Sequence, residues 1–156
     1  MNRPYKPSNT PGLIPYLIVQ DIQESIAFYR RAFMFSLECE PMTMNNHVIH
    51  AEMRLFEAKI MLAPEGAWGT VKKAPVTLQI QAPVGLYVYV ENVENFFRHA
   101  QSEGAEALNP PETMFWGDRM CRFKDLNGYD WSFATNVLEY NVMQSPKIIA
   151  QKEGSL

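Results

Sequence analysis

The chain has 156 residues, 47% of them apolar and 12% aromatic, enough to bury a packed core in a single domain. A net charge of −3, with no basic run longer than "RR" or "KK", leaves no electrostatic footprint for nucleic acid or an anionic membrane, and neither partner is expected. No apolar stretch approaches the roughly 20 residues that span a bilayer, and "MNRPYKPSNTPG" lacks the apolar core of a signal peptide, so a cytoplasmic location is expected.

Residues 1–11, with three prolines, read as an appendage that is mobile or packed only on a neighbour. A strand then starts near Tyr16 and runs into a helix over Ile22 to Phe33. Asp21 and Glu24 are spaced as an N-cap with its N3 carboxylate, and Ile22, Ile26, Tyr29 and Phe33 recur at helical spacing. "FSLECEPMTM", "HVIHAEMRLF" and "AKIMLAP" follow as three strands. The linker, residues 66–83, is rich in Gly and Pro, and within it only "VTLQIQ" alternates like a strand. A second strand and helix begin at Tyr87, capped by Asn92, with Val93, Phe97 and Ala100 as the buried face and Gly104 as the stop. "AEALNPP", "WGDRMCRFK" and "YDWSFATNV" are the next three strands, and residues 138–156 form a C-terminal tail that ends in the polar "QKEGSL". Cys39 and Cys121 sit in apolar strand-like runs with no CxxC pair, so free buried thiols are expected rather than a disulfide or zinc site.

The two halves, about 13–65 and 84–137, repeat one another. A shift of 71 sets Tyr16 on Tyr87, Val19 on Val90, Asp21 on Asn92, Ile22 on Val93 and Met61 on Ser132. The strands before the last match at 68, with Met53 on Cys121 and Arg54 on Arg122, the three-residue difference being assigned to the longer "DLNG" turn.

A strand, a helix and three strands, repeated, resembles the vicinal oxygen chelate superfamily of glyoxalase I, extradiol dioxygenases and bleomycin resistance proteins, over roughly residues 13–137. The ordered blocks "PYLIVQDIQESIAFYRRAF", "HAEMRLFEAKIMLAPE", "LYVYVENVENFFRHAQSEGA" and "FWGDR" followed by "DLNGYDWSFAT" are similar to its glyoxalase-like or 3-demethylubiquinone methyltransferase-like branch. Leu126 and Tyr129 depart from that branch, which usually has Pro and His there. The resemblance implies an α+β fold of two tandem βαβββ modules, whose curved mixed sheets surround a cavity and carry their helices on the outer face. Strand alternation read on that fold puts Leu17, Val19, Leu86, Val88 and Val90 on the helix side and Ile14, Tyr16, Ile18, Gly85, Tyr87 and Tyr89 toward the cavity. Likewise Ala51, Met53, Leu55, Arg119, Cys121 and Phe123 face the helices, whereas His50, Glu52, Arg54, Asp118, Met120 and Arg122 face the cavity.

Metal enzymes of the superfamily hold a divalent ion with His, Gln or Glu on the first and last strands of each module. Here those positions are Ile14, Met61, Gly85 and Ser132, which supply no such set, and no metal or other cofactor is expected. His47 and His50 point to opposite faces of a strand and His99 lies on a helix, so the histidines build no alternative centre. Phosphate loops, dinucleotide fingerprints and nucleophile elbows are absent from the sequence.

His50 and Glu52 share a strand face, with side chains about 7 Å apart, and suit proton transfer if the site raises the Glu52 pKa; otherwise they form a structural ion pair. Arg54 and Arg122 suit a carboxylate or phosphate, or each pairs with Glu52 or Asp118 nearby. Trp116 before Gly117 reads either as an aromatic lid over a ligand approached by the glycine backbone, or as a bulge whose Trp packs on a dimer partner. Trp131 and Phe133 belong to the core, Met61 and Met120 offer an adaptable lining, and Ser132 and Gly85 leave room. Tyr16, Arg54, Met61, Tyr87, Tyr89, Trp116, Asp118, Arg122 and Ser132 are therefore the expected ligand contacts. The function expected is metal-independent binding of an aromatic or anionic small molecule by a homodimer, for sequestration. The alternative is a glyoxalase-like lyase or isomerase using Glu52 or His50.

Overall fold

A computed structural model describes residues 3–139; most of the expected C-terminal tail, residues 140–156, lies outside the described residues. Contacts divide the described residues into two units, the first running to Pro83 and including Asp125–Tyr129, the second Val84–Lys124 with the described residues from Asp130 onward.

In the first unit β1 (Tyr16–Val19) is followed by α1 (Ile22–Ala32), β2 (Ser36–Leu37), β3 (Met42–Met44), β4 (His47–Leu55), β5 (Ala58–Pro64) and the single helical turn α2 (Pro75–Leu78). The sheet order is β1-β5-β4-β2, with β3 also on β4; β1 and β5 are parallel and the other pairs antiparallel. Period-two alternation buries Leu17, Val19, Ala51, Met53 and Leu55 on one sheet face. Helix α1 buries Ile22, Ile26 and Tyr29, and Asp21 Oδ1 caps it by accepting the Glu24 amide hydrogen at 2.9 Å.

The second unit repeats this plan with β6 (Gly85–Tyr89), α3 (Val93–Ser102), β7 (Glu106–Thr113), β8 (Asp118–Lys124) and β9 (Asp130–Asn136), in the order β6-β9-β8-β7 with β6 and β9 parallel. Its core is aromatic: Phe96 and Phe133 approach to 4.1 Å, and the Trp131 and Phe133 rings, both fully buried, lie 3° from parallel. Gly104, at φ +86°, closes α3 in a Schellman arrangement, with Ala105 N–H donating to Ala100 C=O and Gly104 N–H to Gln101 C=O.

The turn Asp125–Tyr129 is built by its own side chains. Asp125 Oδ1 accepts the Asn127 and Tyr129 amides, both at 2.9 Å, and Oδ2 accepts the Tyr29 hydroxyl at 2.6 Å. Tyr129, one of the two departures from the resembled branch, places its hydroxyl against both backbone groups of Ile18, at 3.1 and 2.9 Å, and so holds strand β1.

Several expectations need correction. With Met61 matched to Ser132, the ladder sets Glu52 opposite Met61 and Arg122 opposite Ser132, so β4 and β8 correspond at a shift of 70 rather than 68. The slip is even and leaves every side chain on its expected face. "VTLQIQ" is no strand: Pro75 opens a helical turn at N1 and Gln79 ends it in the left-handed region at φ 55°. The buried aromatic of α3 is Phe96, with Phe97 only half-buried, because both residues satisfy the spacing to Val93 and Ala100. Cys39 is exposed, falling in the irregular stretch between β2 and β3, while Cys121 is buried and its thiol pushed up to about 12 by desolvation. The N-terminal segment packs on its own unit, where Asn9 C=O accepts from Arg54 Nη2 at 2.8 Å.

Candidate functional site

Two polar and aromatic rows stand on the sheet faces opposite the helices, one in each unit. In the first, Tyr16 from β1, His50, Glu52 and Arg54 from β4, and Met61 from β5 share the face expected for them. Tyr16 and His50 meet edge to face, with the phenol oxygen 2.7 Å from His50 Nδ1. His50 Nε2 lies 3.4 Å from Glu52 Oε1. Glu52 Oε2 is 2.6 Å from Lys59 Nζ, which also lies 2.8 Å from Glu38 Oε2, and Glu38 Oε1 in turn accepts from Arg54 Nη2 and Nε at 2.6 and 3.0 Å.

Tyr16, His50, Glu52, Lys59, Glu38 and Arg54 thus form one hydrogen-bonded line. Lys59, buried between two carboxylates, has its pKa raised by hydrogen bonds to Glu38 and Glu52. The same ammonium is the main reason the Glu52 carboxyl titrates below its usual range, with His50 adding to it and burial opposing. The expected condition for Glu52 as a base, a raised pKa, is reversed. Arg54 pairs with Glu38 rather than Glu52 and lines an open groove of about 710 Å³ with Asn9, Pro11 and Phe56.

Lys59 and Glu38 were missing from the sequence reading. Lys59 lies two residues before Met61 on one strand, so period two puts it on the same face. Glu38 has no such signal, because β2 ends at Leu37.

In the second unit Asp118 is the centre. It is 3% exposed, and its Oδ2 accepts the hydroxyls of Tyr87 and Tyr89 at 2.8 and 2.9 Å, while Oδ1 accepts Asn136 Nδ2 at 3.0 Å. Burial alone would raise the Asp118 pKa, but hydrogen bonds from Asn136, the two tyrosines and Trp116 outweigh it and hold the carboxyl below its usual range. Tyr87 is pushed up to about 12, chiefly by burial, with Asp118 adding to the shift and the Trp116 hydrogen bond opposing it. Tyr89 rises as well, mainly through its bond to Asp118. The two rings pack edge to face at 5.6 Å and remain 44% and 58% exposed. Trp116 Nε1 lies 3.4 Å from the Tyr87 hydroxyl, and Phe115 packs edge-on to the indole at 5.0 Å.

Gly117, at φ +98°, approaches its own chain: a Cβ there would overlap the Leu138 carbonyl oxygen. Met120 lies beside Tyr87, with Sδ 3.9 Å from the hydroxyl. Arg122 pairs with Asp130 at 3.2 Å rather than with Asp118, and Ser132 sits in register between Tyr87 and Arg122. Asn136, which the sequence reading missed, is the cross-strand partner of Asp118.

The positions where related metal enzymes carry ligands offer two apolar side chains, one glycine and one hydroxyl: Ile14, Met61, Gly85 and Ser132. Such donors do not fit a divalent cation, which needs imidazole or carboxylate ligands. Among the described residues no three His, Cys, Asp or Glu side chains are grouped to hold a metal ion.

Against known proteins, residues 13–133 match the profile of the Glyoxalase/Bleomycin resistance protein/Dioxygenase superfamily. An uncharacterized protein of Mycobacterium bovis is 30% identical over 135 residues, 85% of this chain and 88% of the relative. The crystal structure of TioX from Micromonospora sp. ML1 superposes with a TM-score of 0.66 at 22% identity, covering 81% of this chain and 99% of that one. A bleomycin-binding protein complexed with bleomycin superposes with a TM-score of 0.58 at 16% identity, covering 81% of this chain and 99% of that one.

Proposed function

The chain belongs to the Glyoxalase/Bleomycin resistance protein/Dioxygenase superfamily, and within it we propose a small-molecule-binding protein that takes an aromatic ligand on the Tyr87, Tyr89 and Trp116 surface without a metal. The observation that carries this reading is the pair of exposed phenol rings fixed by one buried carboxylate. Their hydroxyls are already satisfied, so the rings are held rigid and present apolar faces at low entropic cost. Recognition of an anion by Arg54 and Arg122 is the weaker form of the proposal, since each guanidinium has a carboxylate partner within 3.2 Å. Sequestration fits a site whose aromatic groups are fixed by one buried carboxylate. A homodimer belongs to the same proposal: β6 is an edge strand of its sheet and offers a surface for a second chain, whereas the open side of β1 is taken by Tyr129.

The test is equilibrium binding of a panel of planar aromatic compounds with and without chelator. Saturable, stoichiometric binding that ignores chelator and falls about tenfold or more in Tyr89→Leu is expected. Failure of the whole panel to bind, or binding that needs an added metal, overturns the reading.

The Tyr16–His50–Glu52 line favours a second reading, a lyase or isomerase. An ionised Glu52 accepting from His50 Nε2–H leaves Nδ1 to accept the Tyr16 proton, so Glu52 orients the imidazole and the Tyr16 phenol faces the substrate. In this form His50 is the base and Glu52 positions it. Turnover lost in both His50→Gln and Tyr16→Phe, with the fold retained, supports it; undiminished turnover in either variant contradicts it.

A further inference from the structure

Asp118 is buried among neutral donors. Its hydrogen bonds come from two phenols and one amide, and no Lys or Arg pairs with it among the described residues. The other carboxylates on these two sheet faces are each matched by a cation: Glu52 and Glu38 by Lys59, and Asp130 by Arg122. Arg122 stands four residues further along β8, roughly 13 Å away at about 3.3 Å per residue, and is occupied by Asp130, so it does not neutralise Asp118.

Both phenols spend their proton on this carboxylate. The rings, bonded to an anion, are richer in π-electron density than free phenols. Two such rings set edge to face, with the Trp116 indole beside them, offer exposed π-faces that attract positive charge.

We propose that this corner receives a positively charged organic group, a substituted ammonium carried on an aromatic or apolar body. The inference rests on the binding reading given above and narrows it to a ligand class. The cation lies against the exposed faces of Tyr87 and Tyr89, and the buried charge of Asp118 supplies the long-range attraction that neutral aromatic surfaces lack.

The experiment compares phenyltrimethylammonium with tert-butylbenzene, its uncharged isostere, by calorimetric titration of the full-length protein at low salt. The cation is expected to bind about tenfold or more tightly than the isostere. Asp118→Asn should bring that ratio toward one. Because loss of this buried charge also disturbs the tyrosine hydroxyls, Tyr89→Leu, at a largely exposed ring, is the second variant, and it should weaken the cation in a protein that still unfolds cooperatively. Equal affinities for the two compounds overturn the cation assignment and leave the aromatic-binding reading intact. A preference unchanged by both substitutions overturns the assignment to this corner. If neither compound binds, the cation assignment falls, and the aromatic-binding reading stands or falls with the panel of planar aromatics.

Discussion

Tyr29 is fully buried, and its hydroxyl donates to Asp125 Oδ2 while desolvation, followed by the Asp125 charge, pushes its pKa well above the usual value. Tyr29→Phe takes a donor from a buried carboxylate at almost no cost in volume, and should destabilise the protein by about 1–3 kcal/mol in urea unfolding. Lys59 gives a second test at this scale. Glu38 and Glu52 both titrate below the usual carboxylate range, chiefly because Lys59 donates to them. A carboxyl whose folded pKa is depressed adds stability above its unfolded pKa and loses it as pH falls through the folded value. The urea midpoint should therefore fall as the pH is lowered through and below the usual carboxylate range. Lys59→Met should be less stable at neutral pH, where it leaves two carboxylates without their ammonium, and its midpoint should lose less on acidification. An unchanged acid profile in that variant would contradict the charge assignment. The thiols separate by burial: of Cys39 and Cys121, only Cys39 should react with a thiol reagent in the native protein, and Cys121 only on unfolding.

The elements were legible where one rule dominated. Asp21 and Asn92 each cap a helix through an amide three residues on, as their spacing predicts. The faces of β1, β4, β6 and β8 followed from alternation once the resembled fold set which side carries the helices, because period two allows no compromise. Legibility failed where two residues satisfied the same spacing, as with Phe96 and Phe97. It failed also where local chemistry overrode alternation, as Pro75 did in "VTLQIQ". The turn into β8 is a sharper case: "WGD" reads as ligand approach or bulge, and only the backbone geometry reveals that Gly117 lies against Leu138. Gly117→Ala should cost about 1–3 kcal/mol from positive φ, with a further penalty from the overlap. Because Gly117 sits between Trp116 and Asp118, the same change should weaken ligand binding on the tyrosine surface.

At the scale of the whole molecule the duplication was readable because its anchor, Tyr16 with Met61 and Tyr87 with Ser132, is preserved in both parallel strand pairs. The candidate site was readable as a set of faces but not as partners. Arg54 and Arg122 chose Glu38 and Asp130, which period alone does not bring near, and Lys59 is a residue type that rarely enters a buried face. What distinguishes the two units chemically is how charge is balanced, by a closed line of ion pairs in the first and by neutral donors around one carboxylate in the second. The central claim is that the second of these faces binds a small molecule. The most direct measurement is a titration with phenyltrimethylammonium or a planar aromatic, followed through the NMR signals of the Tyr87 and Tyr89 rings and the Trp116 indole N–H. The account predicts that these signals shift together, saturably and without added metal. Shifts confined to Arg54 and the groove beside it, or no saturable shift at all, would contradict it.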